Sequence, residues 1–253
     1  MPDLTVLKFE PHGPSDTGMA EWESMPRDEL VSEVPLQRGH EYLNIPVDDA
    51  GSGTLTAGVW NCTPFETKLA PYGVNEFMHI LEGSVSIVDQ DGNSEIFSAG
   101  ENFVIPKGCV CSWKQTEYLR KFYVIFDDTT TKAEDLDPVS PIRVDLSLAL
   151  PEVPQQDSSL FIGGVPTMHQ LGVFSDLTAR FGVGLWDCTA MQRIPAPINR
   201  SELMYILEGS GSIINGDGKV FEFSAGDAFM VPVGMGYQWK SEGFVKKVYC
   251  SLT

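Results

Sequence analysis

The chain has 253 residues, 42% of them hydrophobic, which is enough for two domains that each bury a core. Its 35 acidic side chains outnumber its 17 lysines and arginines, so the formal net charge is −18 at pH 7. Because nucleic acids and anionic membranes are bound by clustered cations, we expect neither as a partner. No apolar run approaches the roughly 18–20 residues of a membrane-spanning helix.

The N-terminus and the cysteines indicate where the protein resides. The first residues lack the charged and apolar regions of a secretory signal. The five cysteines are an odd number and show no C-x-x-C spacing. We therefore expect reduced thiols and a cytoplasmic location.

A repeat with an offset of 126 residues organises the chain. The string LEGS at 81–84 recurs at 207–210, and residues 57–123 align with residues 183–249 without a gap. A repeat unit of this length is too long for a solenoid and is typical of a duplicated domain.

Two polar segments lie outside the repeated blocks. Residues 127–138 are acidic and poor in apolar side chains, which is typical of an interdomain linker. Residues 15–49 are polar and interrupted by proline, which predicts an irregular extension that wraps the first domain. The predicted organisation is an N-terminal domain over 1–128, a linker over 129–140 and a C-terminal domain over 141–253.

Within each copy, short apolar strands alternate with turns built on glycine or proline. No segment shows a sustained helical period with capping residues, so we predict an all-β sandwich or barrel. An immunoglobulin-like sandwich is the rival, but its Cys–Trp–Cys pattern is absent. The strands predicted in the first copy cover residues 77–81, 84–88, 94–97, 102–105 and 119–126.

Two short motifs in each copy resemble those of the cupin superfamily. Glu76-x6-Gly83 resembles the end of the first cupin motif, and Gly100-x5-Pro106-x-Gly108 resembles the start of the second. The second copy repeats them as Glu202-x6-Gly209 and Gly226-x5-Pro232-x-Gly234.

Further strings resemble one branch of these proteins, the ethanolamine-utilisation-Q-like or (S)-ureidoglycine aminohydrolase-type cupins. That branch carries G-x-W-x-C-T, which stands here at 58–63 and at 184–189. It also carries a basic residue beside an aromatic one near the end, as at 120–123 and 246–249. The resemblance implies two tandem cupin barrels, that is, double-stranded β-helices of the jelly-roll type.

The resemblance also implies a metal site, for which this chain lacks the histidines. A divalent transition metal usually takes three or four protein ligands. We therefore expect no metal cofactor, while a weakly bound divalent metal stays open. His79 would face away from Glu76 in a strand, so we interpret it as a partly exposed or packed histidine and not as a ligand. Depending on spacing, the motif positions hold Leu69 and Pro71 or Ala70 and Tyr72 in copy one, Pro195 and Pro197 or Ala196 and Ile198 in copy two, and Cys111 and Tyr237 at the last ligand position.

The two-residue period of strands brings a set of side chains to one face. We predict an aromatic-walled cavity in each barrel that contains a carboxylate, a hydroxyl or thiol, and an ammonium. The tryptophans at 60, 113, 186 and 239 either line it or fill the core. Lys121 and Lys247 either reach solvent or pair with the inward carboxylates. The predicted binding residues are Glu76, Met78, Cys111, Trp113, Lys121 and Tyr123 in copy one, and Glu202, Met204, Tyr237, Trp239, Lys247 and Tyr249 in copy two.

Three functions remain open on this sequence. The first is a bicupin that binds a small polar metabolite in one or both pockets without a complete metal site. The alternative is a metal-dependent cupin enzyme that acts on a small nitrogenous metabolite, as the ureidoglycine aminohydrolase resemblance implies. The third is a structural role in which duplication supports a homodimer, an association that the cupin resemblance implies. Fold analogy alone does not decide among them.

Overall fold

The structure is a computed structural model that describes residues 4–154 and 156–253. These residues form 23 strands and three short 3-10 helices, so the predicted all-β class is confirmed. None of the described helices is long and apolar enough to cross a membrane. The first thirteen strands are β1 (Leu7–Phe9), β2 (Ala20–Glu21), β3 (Gln37–Pro46), β4 (Gly53–Cys62), β5 (Phe65–Glu66), β6 (Ala70–Pro71), β7 (Asn75–Glu82), β8 (Ser84–Asp89), β9 (Ser94–Ser98), β10 (Asn102–Ile105), β11 (Val110–Gln115), β12 (Leu119–Asp128) and β13 (Ile142–Arg143).

The second half of the chain supplies the other ten strands. The 3-10 helices cover Arg27–Glu29, Ala133–Asp135 and Ser158–Leu160. The strands are β14 (Met168–Ser175), β15 (Phe181–Cys188), β16 (Met191–Gln192), β17 (Ala196–Pro197), β18 (Ser201–Glu208), β19 (Ser210–Asn215), β20 (Val220–Ser224), β21 (Ala228–Val231), β22 (Gly236–Ser241) and β23 (Val245–Leu252).

The first compact unit, Phe9–Asp145, consists of two antiparallel sheets over one core. One sheet has the strand order β13-β10-β7-β12-β4-β3-β2, and the other has the order β5-β11-β8-β9 with β6 also on β11. Alternate side chains of both sheets meet in one buried cluster that includes Met78, Phe97, Phe103 and Trp113. This is the expected core of two sheets packed face to face.

The second compact unit repeats this arrangement. It contains residues 4–8 together with Leu146–Thr253. Its larger sheet has the order β1-β21-β18-β23-β15-β14, and its smaller sheet has the order β16-β22-β19-β20 with β17 also on β22. The central orders match those of the first unit strand for strand, so the duplication predicted from the 126-residue offset is confirmed in the topology.

The segment 4–8 lies with the second unit, although the boundary predicted from sequence places it in the first domain. Leu4 and Val6 pack against the second core, and Lys8 Nζ lies 3.2 Å from Asp227 Oδ1. Asp227 is 219 residues from Lys8 in sequence, so local patterns carry no sign of such contacts.

One predicted irregular region contains a long strand. Within residues 15–49, β3 pairs with β4 along its whole length, with a bulge between Glu41 and Leu43. β3 lies next to the sheet edge and most of its side chains are partly or fully exposed. A strand with one solvent-exposed face needs few apolar residues, which is why the sequence of β3 does not indicate a strand.

The repeated Leu-Glu-Gly string marks a tight approach between strands. Gly83 and Gly209 have φ values of 80° and 86°, which glycine adopts without strain. A Cβ at either position would lie 2.1 Å from a carbonyl oxygen, that of Tyr118 or Phe244. Both copies therefore require glycine at this turn.

Candidate functional site

A buried ion pair lies at the centre of the first unit. Glu76 on β7 is 3% exposed, and Lys121 on the neighbouring β12 is 6% exposed. The Lys121 Nζ lies 2.8 Å from Glu76 Oε1 and 3.1 Å from the sulfur of Met78. The inward orientation of Glu76 and its pairing with Lys121 are thus confirmed, and the alternative of a solvent-exposed lysine is wrong. A charge buried without a partner costs several kcal/mol, so each member of the pair needs the other.

Two tryptophan rings enclose the ammonium of Lys121. Trp60 stands directly opposite Lys121 in the β4–β12 register, with its ring centre 4.9 Å from Nζ. The Trp113 ring centre lies 4.5 Å from the same atom, and the two rings meet edge to face. A desolvated cation–π contact contributes about 2 kcal/mol. The tryptophan of the G-x-W-x-C-T string therefore helps to hold the buried cation.

Two tyrosine hydroxyls border the pair and differ in their partners. Tyr72 donates to Glu76 Oε2, and burial together with that carboxylate raises the pKa of Tyr72 well above its ordinary value. The Tyr123 hydroxyl is buried and has no hydrogen-bond partner among residues 4–154 and 156–253. Burial, followed by the charges of Glu41 and Glu76, raises the pKa of Tyr123 as well. Both hydroxyls therefore stay protonated at neutral pH, and that of Tyr123 has no acceptor.

Gly58 makes room for this hydroxyl. A Cβ at Gly58 would lie 2.6 Å from the Tyr123 hydroxyl oxygen and 2.3 Å from the His40 carbonyl oxygen. In the second unit, a Cβ at Gly184 would likewise lie 2.6 Å from the Tyr249 hydroxyl oxygen. The glycine of the G-x-W-x-C-T string is thus required by the tyrosine across from it on the next strand.

These groups line a cavity of about 400 Å³. Its polar lining includes three carboxylates, from Glu29, Glu41 and Glu76, and one ammonium, from Lys121, so its formal charge is −2. Ligand sites are typically concave and apolar with a few placed polar groups, and this cavity has that composition. Its apolar and aromatic walls come from Trp22, Met25, Trp60, Phe65, Tyr72, Trp113 and Ile125.

The second unit contains the same ion pair with an additional cation. Lys247 Nζ lies 2.6 Å from Glu202 Oε1, and Arg200 Nε and Nη2 both lie 2.6 Å from Glu202 Oε2. Burial alone would raise the pKa of Glu202, but the charges of Lys247 and Arg200 outweigh it and hold that pKa below its usual value. Glu202 is therefore ionised at neutral pH with both oxygens paired.

The aromatic groups around Lys247 also repeat those of the first unit. The ring centres of Trp186 and Trp239 lie 4.8 and 5.3 Å from its Nζ. Tyr249 differs from Tyr123, because Gln170 donates to its hydroxyl over 2.7 Å. The cavity here measures about 210 Å³, about half that of the first.

The predicted site residues divide into three groups. Met78 and Met204 lie behind the cavities, each with its sulfur against a lysine ammonium. Cys111 lies outside both cavities and lines a separate space of about 180 Å³ beside Cys109. It is two residues from Trp113, about 7 Å further along β11, which takes it past the end of the cavity. The remaining predicted residues line their cavities: Glu76, Trp113, Lys121 and Tyr123 in the first, and Glu202, Tyr237, Trp239, Lys247 and Tyr249 in the second.

The sequence prediction missed several lining residues. Arg193 and Arg200 stand where the 126-residue offset gives Thr67 and Val74 in the first copy. A comparison of charges across the repeat, in place of identities, would have found them. Trp22 lies in the polar extension, and nothing in its local pattern indicates that it reaches the cavity.

The donors in the two cavities do not fit the metal that the cupin resemblance implies. Both oxygens of Glu76 are engaged by Lys121 and Tyr72, and both oxygens of Glu202 by Lys247 and Arg200. In the described parts of the chain, no group of three or more His, Cys, Asp or Glu side chains could hold a metal ion. His79 is buried, accepts or donates a hydrogen bond of 3.0 Å with Asn102, and stacks on Phe122.

Comparison with known proteins finds similarity in both halves. A family model described as the EutQ-like cupin domain matches residues 50–123 and again residues 176–249. No curated protein sequence matches the chain. A solved protein of unknown function from Pseudomonas syringae pv. tomato aligns with a TM-score of 0.77 and 23% identity, over 98% of this chain and 100% of that one.

Two further solved structures are similar at lower identity. A putative glyoxylate-induced protein from Pseudomonas aeruginosa aligns with a TM-score of 0.56 and 14% identity, over 98% of this chain and 97% of that one. A cupin 2 conserved barrel domain protein from Leptotrichia buccalis aligns with a TM-score of 0.56 and 12% identity, over 90% of this chain and 100% of that one. At these identities the likeness supports the fold alone.

Proposed function

The chain belongs to the EutQ-like cupin domain family, which accounts for its two tandem cupin domains, and we propose that it is a bicupin that binds a small polar metabolite. The first cavity is the site with the strongest support. It combines aromatic walls with a fixed ion pair and a protonated hydroxyl that has no partner in the described chain.

The unpaired hydroxyl of Tyr123 carries this proposal. A buried donor left without an acceptor costs about 1–3 kcal/mol. In the second unit, Gln170 stands opposite Trp186 in the register and donates a hydrogen bond to the Tyr249 hydroxyl, so that hydroxyl has a polar partner.

The first unit has Gly39 at the position that corresponds to Gln170, opposite Trp60. The Trp22 ring occupies the space beside Gly39, where a Cβ would lie 2.4 Å from it. The ring of Trp22 meets that of Tyr123 edge to face and offers no oxygen or nitrogen acceptor there. The hydroxyl oxygen has almost no solvent-accessible surface, so a ligand acceptor atom would restore the missing hydrogen bond by displacing the side chains that cover it.

The charge of the cavity narrows the ligand class. Glu76 is neutralised by Lys121, while Glu29 and Glu41 are exposed at the rim and have no cationic partner within salt-bridge distance in the described residues. The surplus negative charge disfavours anions, and the Trp22 and Phe65 rings suit a flat group. We therefore propose a neutral or cationic nitrogenous metabolite. The protein would act by binding, without a metal cofactor, in the cytoplasm, and a homodimer is compatible with this role.

The test is ligand binding to the full chain and to a hydroxyl-deletion variant. Thermal-shift screening with allantoin and asparagine samples ureides and amino acids, gluconate is the anionic control that should not bind, and calorimetry then gives affinities for each hit. Tyr123→Phe should weaken binding of a first-cavity ligand about tenfold, which corresponds to one lost hydrogen bond of about 1.4 kcal/mol. The free protein should lose no stability, because the hydroxyl it loses is unpaired.

Tyr249→Phe is the matched control. It removes the equivalent hydroxyl from the second unit, where that group is hydrogen-bonded. It should lower the thermal midpoint and leave first-cavity affinity unchanged. Unchanged affinity of Tyr123→Phe for every hit would remove the first cavity from the proposal. Stoichiometric Mn, Zn, Ni or Fe in the purified protein would instead favour the metal-dependent enzyme.

A further inference from the structure

The two cavities share a frame but carry opposite charge. Carboxylate, ammonium, two tryptophans and a tyrosine recur at the 126-residue offset. Around them, the first lining has three carboxylates and one cation. The second has three cations, from Arg193, Arg200 and Lys247, and the single carboxylate of Glu202, so its formal charge is +2. This positive cavity lies in a chain whose net charge is −18.

We propose that the second cavity binds a short-chain organic carboxylate, held by the guanidinium of Arg193. The inference rests on the proposed function in treating both cupin units as binding modules, and it concerns a different site from the one that Tyr123 borders.

Arg193 is the cation whose charge remains available. Lys247 and Arg200 each contact one oxygen of Glu202. Arg193 has no carboxylate within salt-bridge distance anywhere in residues 4–154 and 156–253. Its Nη1 lies 3.4 Å from the hydroxyl of Tyr237, and its guanidinium carbon lies 6.0 Å from that ring. Burial raises the pKa of Tyr237, so this neighbour stays neutral and leaves the guanidinium charge uncompensated.

The chemistry of a guanidinium selects a planar anion. Its parallel N–H groups match the two oxygens of a carboxylate, and such charge-assisted pairs are stronger than neutral hydrogen bonds. Lys247 and Arg200 add to the positive potential on the same cavity. Gln170 supplies a further polar group beside Tyr249.

The walls and the volume define the rest of the ligand. Phe161, Met168 and Met191 line the cavity with apolar surface, which fits a hydrocarbon chain and not a bare inorganic anion. A volume of 210 Å³ equals about seven water molecules at about 30 Å³ each. A carboxylate of about three to five carbons fits that space.

The test measures binding of succinate to the full chain by calorimetry, with malonate as a shorter homologue. Succinamide has the same carbon chain without charge, and inorganic phosphate has charge without hydrocarbon. We expect succinate or malonate to bind in the millimolar range or tighter, about tenfold more tightly than succinamide or phosphate. Affinity should fall as salt concentration rises, because part of the attraction is screened.

Variants assign the binding to Arg193. Arg193→Gln should weaken succinate binding at least about tenfold, and Arg193→Lys should give an intermediate loss because it keeps the charge but not the paired donors. Lys240→Gln removes a cation from an exposed pair in the same unit and should leave the affinity unchanged. The Arg193 side chain is only partly buried and forms no ion pair among the described residues, so its variants should keep the thermal midpoint of the parent.

Separate outcomes distinguish this inference from the proposed function. Tyr123→Phe should not affect succinate binding. Succinate affinity that survives Arg193→Gln, equal affinity for succinamide or phosphate, or no succinate binding at about 10 mM would each overturn the inference. None of these outcomes bears on the proposed function of the first cavity, which is tested separately by the Tyr123→Phe comparison.

Discussion

The replacement of each buried lysine by methionine gives two matched variants with different expected costs. Lys121→Met leaves the Glu76 carboxylate buried with one remaining partner, the neutral hydroxyl of Tyr72. Lys247→Met leaves Glu202 with the guanidinium of Arg200, at 2.6 Å. Both changes remove two cation–π contacts, so that loss cancels when the two variants are compared.

The magnitude follows from what remains around each carboxylate. Breaking a buried ion pair by removing one partner costs about 3–5 kcal/mol, and this is the expected loss for Lys121→Met. A hydrogen bond to a charged group contributes about 1.5–3 kcal/mol, but the Arg200 side chain is 41% exposed and its contribution is reduced by solvent. We therefore expect Lys247→Met to cost about 1–2 kcal/mol less than Lys121→Met.

Urea unfolding and scanning calorimetry would measure this difference in the free energy of unfolding, and hydrogen exchange would locate it in the chain. Exchange in peptides from β7 and β18 assigns each loss of stability to its own unit. The double variant Glu76→Gln/Lys121→Met removes both charges, and it should recover at least about 1 kcal/mol relative to Lys121→Met. Equal costs for the two lysine variants, or a double variant no more stable than Lys121→Met, would refute the assignment of the loss to an unpaired buried charge.

Two further predictions concern a histidine and a glycine of the first unit. Burial lowers the pKa of His79 to about 4, so between pH 4 and the unfolded value of 6.5 the unfolded chain binds more protons than the folded one. The free energy of unfolding should therefore fall by up to about 3 kcal/mol as the pH decreases through this window. His79→Gln should flatten this part of a plot of urea midpoint against pH. A profile with the same slope in His79→Gln would contradict this. Gly58→Ala should destabilise the protein by about 2 kcal/mol or more, because the new Cβ would clash with the Tyr123 hydroxyl and a backbone oxygen. Gly73→Ala is the control and should have little effect, because the space around Gly73 is open. Equal denaturation midpoints for the two variants would show that Gly58 tolerates a side chain.

The sequence predicts those parts of the fold that repeat or alternate. Offset identities indicate the duplication, the period of two groups Glu76 with Met78 on one face, and the cupin motif implies that this face points inward. The cost of burying a carboxylate alone makes Lys121 a candidate partner, but the sequence leaves a solvent-exposed lysine equally open. The same reasoning applies to Glu202 and Lys247, whose contact is 2.6 Å.

The parts that could not be predicted depend on contacts between distant segments. Trp22 reaches the first cavity because Gly39 leaves space in β3, and β3 itself reads as polar. Arg193 lies between short strands whose direction is set by pairing with β22. Neither placement follows from the local sequence period. The position of each side chain depends on a segment that is distant in sequence.

The contrast between the two units separates support from selectivity. In both, a glutamate–lysine pair is held between two tryptophans, with a tyrosine over a glycine, and this frame makes nearly the same contacts at nearly the same distances. A group that selects a ligand would have to differ where the ligands differ, and within this frame the tyrosine hydroxyl does so, since Gln170 donates to that of Tyr249 and no described residue pairs with that of Tyr123. The charged lining residues also differ: Glu41 contributes negative charge in one unit and Arg193 contributes positive charge in the other. If both units bind ligands as we propose, the frame would support the cavities, while Glu41 and Arg193 would decide which charge each cavity accepts.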